Sequence, residues 1–365
     1  MTISEVISKI ENRIPLQQAE DFDNVGLLCG VPDRNVSGIL VCHDALENVV
    51  DEAVQKNCNL IVCFHPIIFS GLKSLTGKNY VEKAVLKAIE NKIAIYAIHT
   101  AFDNDFFGVN HGICSQLGLK DMKILQPKKN NLKQLTVFVP KEQSEQVKEA
   151  LFSAGAGNIG FYDECSFTLN GNGTFRPMEG SNPFSGQHNV RENADEDMIS
   201  VIFEGYKQAR IISAMKSAHP YEEVAYQIYQ LDNENQHSGL GMYGELDEEM
   251  DEQDFLKLVK EKFGLEVIRH SGFIQRKIKR VGVIGGSGAS GIKAALSRKC
   301  DAYLTGDIKY HDFFLAESKM LICDIGHYES EQFVTQQLFE ILSQKFSTFA
   351  ISKSIEKTNP VNYFI

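Results

Sequence analysis

Long apolar runs are missing from this sequence. None approaches the ~18 residues that a membrane-spanning helix needs, so no transmembrane segment is expected. The stretch from Met1 to Pro15 also lacks a charged start, an apolar core and a small-residue cleavage site in series, and no signal peptide is expected from it. Positive charge is scarce: 37 Lys and Arg face 48 Asp and Glu, for a formal net charge of −11. Contact with a phosphate backbone needs clustered basic side chains, which argues against a nucleic-acid partner. The densest basic run, QRKIKR at 275–280, leads into an apolar strand and reads as its solvated start. The eight cysteines form no C-x-x-C pair and no regular framework. Several sit in apolar runs such as LIVCF and LICDI, the pattern of buried, reduced thiols in a cytoplasmic protein. A thiolate zinc site is therefore not expected.

What is present suffices for a folded chain. With 365 residues, 43% hydrophobic and 23% charged, the sequence is globular in character. A chain of this length holds about two to three domains. Residues 1–125 alternate buried-strand runs (38–44, 59–64, 92–99) with amphipathic helical stretches, the pattern of an α/β layer. Residues 126–235 change character. Strand, helix, two β-like runs (159–168 and 173–178) flanking NGNG as a hairpin, a strand at ISVIFEGY (199–206), a further helix and a last strand are read as a βαββαβ order. The polar, turn-rich stretch 181–197 reads as a loop. From 236 to 365 the α/β alternation resumes: a strand into a Gly-rich turn, a helix (290–299), a strand (301–304), a helix (308–318), a strand (320–325) and a long helix (328–344). The expected fold is thus α/β: one two-halved domain, 1–125 with 236–365, interrupted by an inserted ferredoxin-like unit at 126–235.

In open α/β sheets, ligands gather beyond the carboxyl ends of the strands. Four strands here deliver His or carboxylate at that end: His65; His99 with Asp103; Asp307 with His311; and His327 with Glu331. Each pair alone is equally a capping pair or a hydrogen-bonded structural residue. Together they point to a metal site, because charges buried without partners are costly. Imidazole and carboxylate without thiolate suit zinc first, with iron, manganese, cobalt or nickel as alternatives. The i, i+4 spacing sets His327 and Glu331 on one helical face, and a carboxylate such as Glu331 is able to bridge two ions.

Two further motifs compete for a role. GSGASG at 286–291 spells a dinucleotide-type glycine pattern, with Asp307 about 20 residues on. No full doubly wound half precedes it, so it reads either as a tight strand-to-helix turn or as backbone that meets an anionic ligand through Gly286, Ser287 and Gly288. HPYEEVAY at 219–226 reads as a structural or interface segment at a loop-to-strand junction.

Taken in order, DNVGL (23–27), HPIIF (65–69), HTAFDN (99–104), GGSG (285–288), TGDIKYHD (305–312) and GHYESE (326–331) resemble the GTP cyclohydrolase 1 type 2 family, the dinuclear-metal-centre hexameric proteins related to interacting factor 3. The resemblance covers about 1–125 and 240–365; the middle is similar to the PII- or CutA-like insert of longer bacterial members. It implies metal ligation by His65, Asp103, His327 and Glu331, with Glu331 shared between two divalent ions. It gives His99 and His311 roles in orienting ligands or moving protons. It also implies a homohexamer built as a trimer of dimers, acting on a small nucleotide-like ligand. One departure stands out: the family pattern has two consecutive histidines before the first proline, and here the first is Phe64. One or two ions per chain are therefore expected. Two functions follow, a metal-dependent hydrolase acting on a nucleotide or related phosphorylated small molecule, or a non-catalytic metal-binding adaptor or sensor. A dinucleotide oxidoreductase resting on GSGASG is the third class.

Overall fold

The computed structural model describes residues 1–347 and 349–364. The chain divides into two compact units, Met1–Gln126 with His237–Ile365 and Pro127–Gln236. The architecture is mixed α/β with three sheets among the described residues.

The larger unit is built on two sheets. The first has the order β1 (Gly26–Cys29), β4 (Ala94–Ala97), β3 (Leu60–His65), β2 (Ile39–Asp44) and β15 (Ile351–Lys353), parallel except for β1. The second runs β11 (Arg269–His270), β14 (Leu321–Asp324), β13 (Ala302–Gly306), β12 (Ile278–Ser287), β10 (Gly239–Met250) and β5 (Lys120–Pro127), with β12, β13 and β14 parallel. Strands β2 and β3 are buried almost end to end, which is why their sequence is a continuous apolar run and not an alternation.

Alternate side chains nevertheless part to two cores. Val41, Val62 and Phe64 join Val283, Leu304 and Cys323 of the other sheet in one cluster. Cys42, Ile61 and Cys63 face the opposite way, onto Val49 and Val50 of the helix Glu47–Gln55 and Ala84 of the helix Tyr80–Glu90. The main core therefore lies between the two sheets. Parallel pairing sets Cys42 beside Cys63 and Asp44 beside His65. His43 falls beside Phe64, and their rings stack with centroids 5.6 Å apart.

The smaller unit is a four-stranded antiparallel sheet in the order β7 (Ser166–Phe175), β8 (Glu192–Glu204), β6 (Leu132–Pro140), β9 (Tyr226–Gln230). The helices Ser144–Ser153 and Gln208–Ala218 cover one face, where Val147, Leu151, Ile211 and Met215 meet Leu135, Val137, Ile199 and Val201.

Four local expectations are corrected. NGNG makes no hairpin: it lies inside β7, with Asn170 and Asn172 donating side-chain hydrogen bonds to Asp197 and Asp195 across the ladder. The expected loop 181–197 accordingly ends early, because β8 begins at Glu192. The helix expected over 308–318 is a 3-10 helix at Tyr310–Ala316, bracketed by left-handed backbone at Asp307 (φ 56°) and Glu317 (φ 50°). The long final helix is broken into His327–Glu331 and Val334–Lys345. There Gln332 turns its side-chain amide onto the carbonyl of Glu329, 2.9 Å away, which occupies a helix acceptor at the break.

Candidate metal centre

Five chain segments converge at the carboxyl ends of the parallel strands. β2 ends in His43 and Asp44, and β3 ends in His65. The helix His99–Asp103 follows β4. Asp307 follows β13, and the helix His327–Glu331 follows β14 after Gly326. Two glycines make the close approach feasible. Gly286 has φ 64°, and a Cβ there would collide with Oε1 of Glu331. Gly326 has φ 91°, and a Cβ there would meet the Glu329 carboxylate.

Glu331 lies at the centre, with 3% of its side chain exposed. Its Oε2 is 3.4 Å from Nε2 of His43, 3.3 Å from Nε2 of His65 and 3.3 Å from Nε2 of His327. Each ring is turned by a carboxylate at its other nitrogen. Asp44 takes Nδ1 of His43 at 2.9 Å and Nδ1 of His65 at 2.8 Å, and Asp307 takes Nδ1 of His327 at 2.7 Å. His99 is held the same way, by Asp23 at 2.9 Å. A carboxylate on Nδ1 fixes the tautomer that leaves Nε2 for a ligand, the usual support of metal-binding histidines.

The charge balance follows from this geometry. Burial alone would push Glu331 up, yet the nearby imidazoles of His327, His43 and His65 hold it well below the usual carboxylate range. Burial opposes charge on His65 too, but Asp44 and Glu331 raise it to about 10. Glu331 is the largest influence on His327, raised to about 9 against burial. Asp103 moves the other way: burial pushes its carboxyl well up, and the charge on Glu331 adds to the effect.

These residues fit a divalent ion. Glu331 Oε2, His43 Nε2 and Asp103 Oδ1 are buried and have no hydrogen-bond partner. Contacts of 3.3–3.4 Å are long for charge-assisted hydrogen bonds, which run about 2.7–2.9 Å. They match two donors on one tetrahedral zinc, which at about 2.0–2.1 Å each stand about 3.3–3.4 Å apart. His65, His327 and Glu331 offer donor atoms all within 4.8 Å of one another, as do His43, Asp44 and His65.

Of the residues singled out in the sequence, His65, His327 and Glu331 thus come together, and buried Asp103 feels the charges of Glu331, His65 and His327. The His99 ring is 5.2 Å from that of His65. His311 is exposed on the 3-10 helix, where its ring meets Tyr310 and Phe314. In the glycine motif, the Gly286 N–H donates to Ser330 Oγ at 2.8 Å and the Gly285 N–H to Asn110 at 3.0 Å, so this backbone packs onto the helix bearing Glu331. Ser287 is exposed and Gly288 buried. In HPYEEVAY, His219 bonds the Phe138 carbonyl and the Tyr221 N–H. The sequence reading passed over His43 and Asp44. Their signal was available, since GILVCHD ends a buried strand in His-Asp at the same end as His65.

A sequence profile described as Duf34/NIF3 (NGG1p interacting factor 3) matches residues 1–360. A GTP cyclohydrolase 1 type 2 homolog of Halalkalibacterium halodurans is 37% identical over 364 residues, 98% of each chain. Its namesake in Bacillus subtilis is 35% identical over 367 residues, again 98% of each chain. Among solved structures, a Bacillus cereus protein related to NIF3 superposes with a TM-score of 0.89 at 36% identity, covering 100% of this chain and 99% of the other. On a profile match across nearly the whole sequence and relatives of matching length, the chain belongs to the Duf34/NIF3 (NGG1p interacting factor 3) family.

Proposed function

We propose that this protein binds divalent metal at the Glu331 cluster and is a metal-dependent hydrolase acting on a nucleotide or related phosphorylated small molecule. The observation that carries the reading is the set of imidazole Nε2 atoms at 3.3–3.4 Å from one buried carboxylate oxygen. His65, Asp103, His327 and Glu331 would hold the ion, zinc first by donor chemistry. Such an ion supplies Lewis acidity and makes a nucleophile of water near neutral pH. His99, with Nδ1 held by Asp23, keeps Nε2 for a proton beside His65. Ser287 is the exposed member of the Gly286–Gly288 turn and the one left to meet an anionic group. His311 would serve only a ligand that extends over the exposed 3-10 helix.

The nucleotide class rests on the name borne by the curated relatives, GTP cyclohydrolase 1 type 2 homolog. A homohexamer built as a trimer of dimers rests on the sequence resemblance. A ferredoxin-like insert of PII or CutA type is supported by the strand–helix order of residues 127–236 and its β7-β8-β6-β9 sheet. Eight unpaired thiols fit a reducing, cytoplasmic setting.

Metal analysis of protein purified without added metal tests the reading. At least one divalent ion per chain is expected, and Glu331→Gln should lose it while circular dichroism stays unchanged. Full metal content in that variant overturns the site. Metal-loaded protein that leaves GTP and a nucleotide panel unaltered overturns the hydrolase.

A further inference from the structure

We propose that His43 is a metal ligand, completing a second ion position on the Phe64 side of Glu331. The inference rests on the metal reading of the cluster and goes one residue beyond it. Position 64 is a buried phenylalanine with no donor atom. The residue beside it on the neighbouring strand is His43, and the parallel register puts the two rings on the same face of the sheet, stacked at 5.6 Å. The imidazole therefore reaches the Glu331 oxygen from the strand next to the one that carries Phe64.

Three features separate His43 from a structural histidine. Its Nε2 is buried and has no hydrogen-bond partner, although Glu331 Oε2 is only 3.4 Å away. Its Nδ1 is fixed by Asp44, the carboxylate that also fixes the ligand candidate His65, so one side chain orients both rings. His43 also stands outside the group of donors formed by His65, His327 and Glu331, yet touches the same Glu331 oxygen. The two donor groups, His43 with Asp44 and His65, and His65 with His327 and Glu331, overlap at His65 and meet at one carboxylate oxygen, the arrangement of a bridging ligand between two ions. Tyr328, whose ring lies edge-on to His43 at 5.1 Å, and Phe64 flank the ring and limit the rotamers open to it.

Metal titration distinguishes this proposal from the reading beneath it. Zinc is added to chelator-stripped wild-type protein, His43→Leu and Glu331→Gln, and bound metal is counted after desalting. Two ions in wild type, one in His43→Leu and none in Glu331→Gln is the expected result. Equal stoichiometry and affinity in wild type and His43→Leu overturns the role of His43 and leaves the metal site standing. A wild type that binds no zinc overturns the metal reading itself. Should His43→Leu not fold, zinc-edge X-ray absorption on fully loaded wild type decides between the two. Three histidine nitrogens per chain support ligation by His43, His65 and His327, and two overturn it.

Discussion

His43 in the larger unit and His219 in the smaller one are equally buried, each 7% exposed, yet their surroundings have opposite chemical meanings. His219 is satisfied at both nitrogens by backbone: Nε2–H donates to the Phe138 carbonyl at 2.9 Å, and Nδ1 accepts the Tyr221 N–H at 3.1 Å. Burial lowers its pKa, as expected for a neutral ring locked into the fold. Burial would lower His43 as well, but Asp44 and Glu331 turn the shift upward. Its partners are carboxylates, and its Nε2 is left without a hydrogen bond. Burial alone therefore does not identify a functional histidine. The identity of its partners, backbone on both sides or carboxylates with one nitrogen spare, does.

The strongest way to break this comparison is at Asp44, which holds Nδ1 of both His43 and His65. In Asp44→Asn the amide has a single acceptor oxygen and turns its NH2 toward one of the rings. Zinc affinity should fall by about 10–100-fold, the usual cost of losing such a supporting carboxylate. Competition with a chromophoric chelator measures it. Unchanged affinity with native secondary structure would mean that the carboxylates do not orient these rings.

The same distinction explains what the sequence disclosed and what it hid. His65, Asp103, His327 and Glu331 were legible because each follows an apolar strand, and strand ends in parallel sheets are where ligands collect. His43 obeys that rule equally well, but inside GILVCHD it reads as the tail of a buried run. Only the register with β3 reveals that its ring lies on the Glu331 side. NGNG misled for the converse reason. Asn-Gly signals a tight turn locally, while the Asn170 and Asn172 amides find Asp197 and Asp195 across the strand pair. The breaks near Asp307 and Gln332 depend on backbone angles and side-chain caps that no periodicity encodes. For His43 and NGNG the hidden quantity is a partner on the neighbouring strand, and for the two breaks it is local backbone geometry.

A smaller effect, and one confined to stability, is expected at the other pole of the comparison. His219→Leu leaves the Phe138 carbonyl and the Tyr221 N–H without their partners. An unsatisfied buried group costs about 1–3 kcal/mol, so the urea midpoint should move down accordingly. Metal content should remain that of wild type. Loss of zinc in this variant would erase the division between the two kinds of histidine.

The smallest effect should come from Asp23, which shows a carboxylate–histidine pair contributing to the fold apart from any ion. Burial would raise its pKa, but hydrogen bonds from His99 and from the side chain and backbone N–H of Thr100 outweigh that and hold it at about 2. Its folded value lies below the ordinary 3.8, so its contribution is complete above pH ~4 and disappears as the pH falls through 2. In chelator-stripped protein, urea unfolding between pH 5 and about 2 should therefore steepen on the acid side, and Asp23→Asn should flatten that part of the curve. An identical acid limb in the variant would show that Asp23 gains nothing from His99 and Thr100. The orienting role inferred for the other carboxylates would then need support from metal affinity alone.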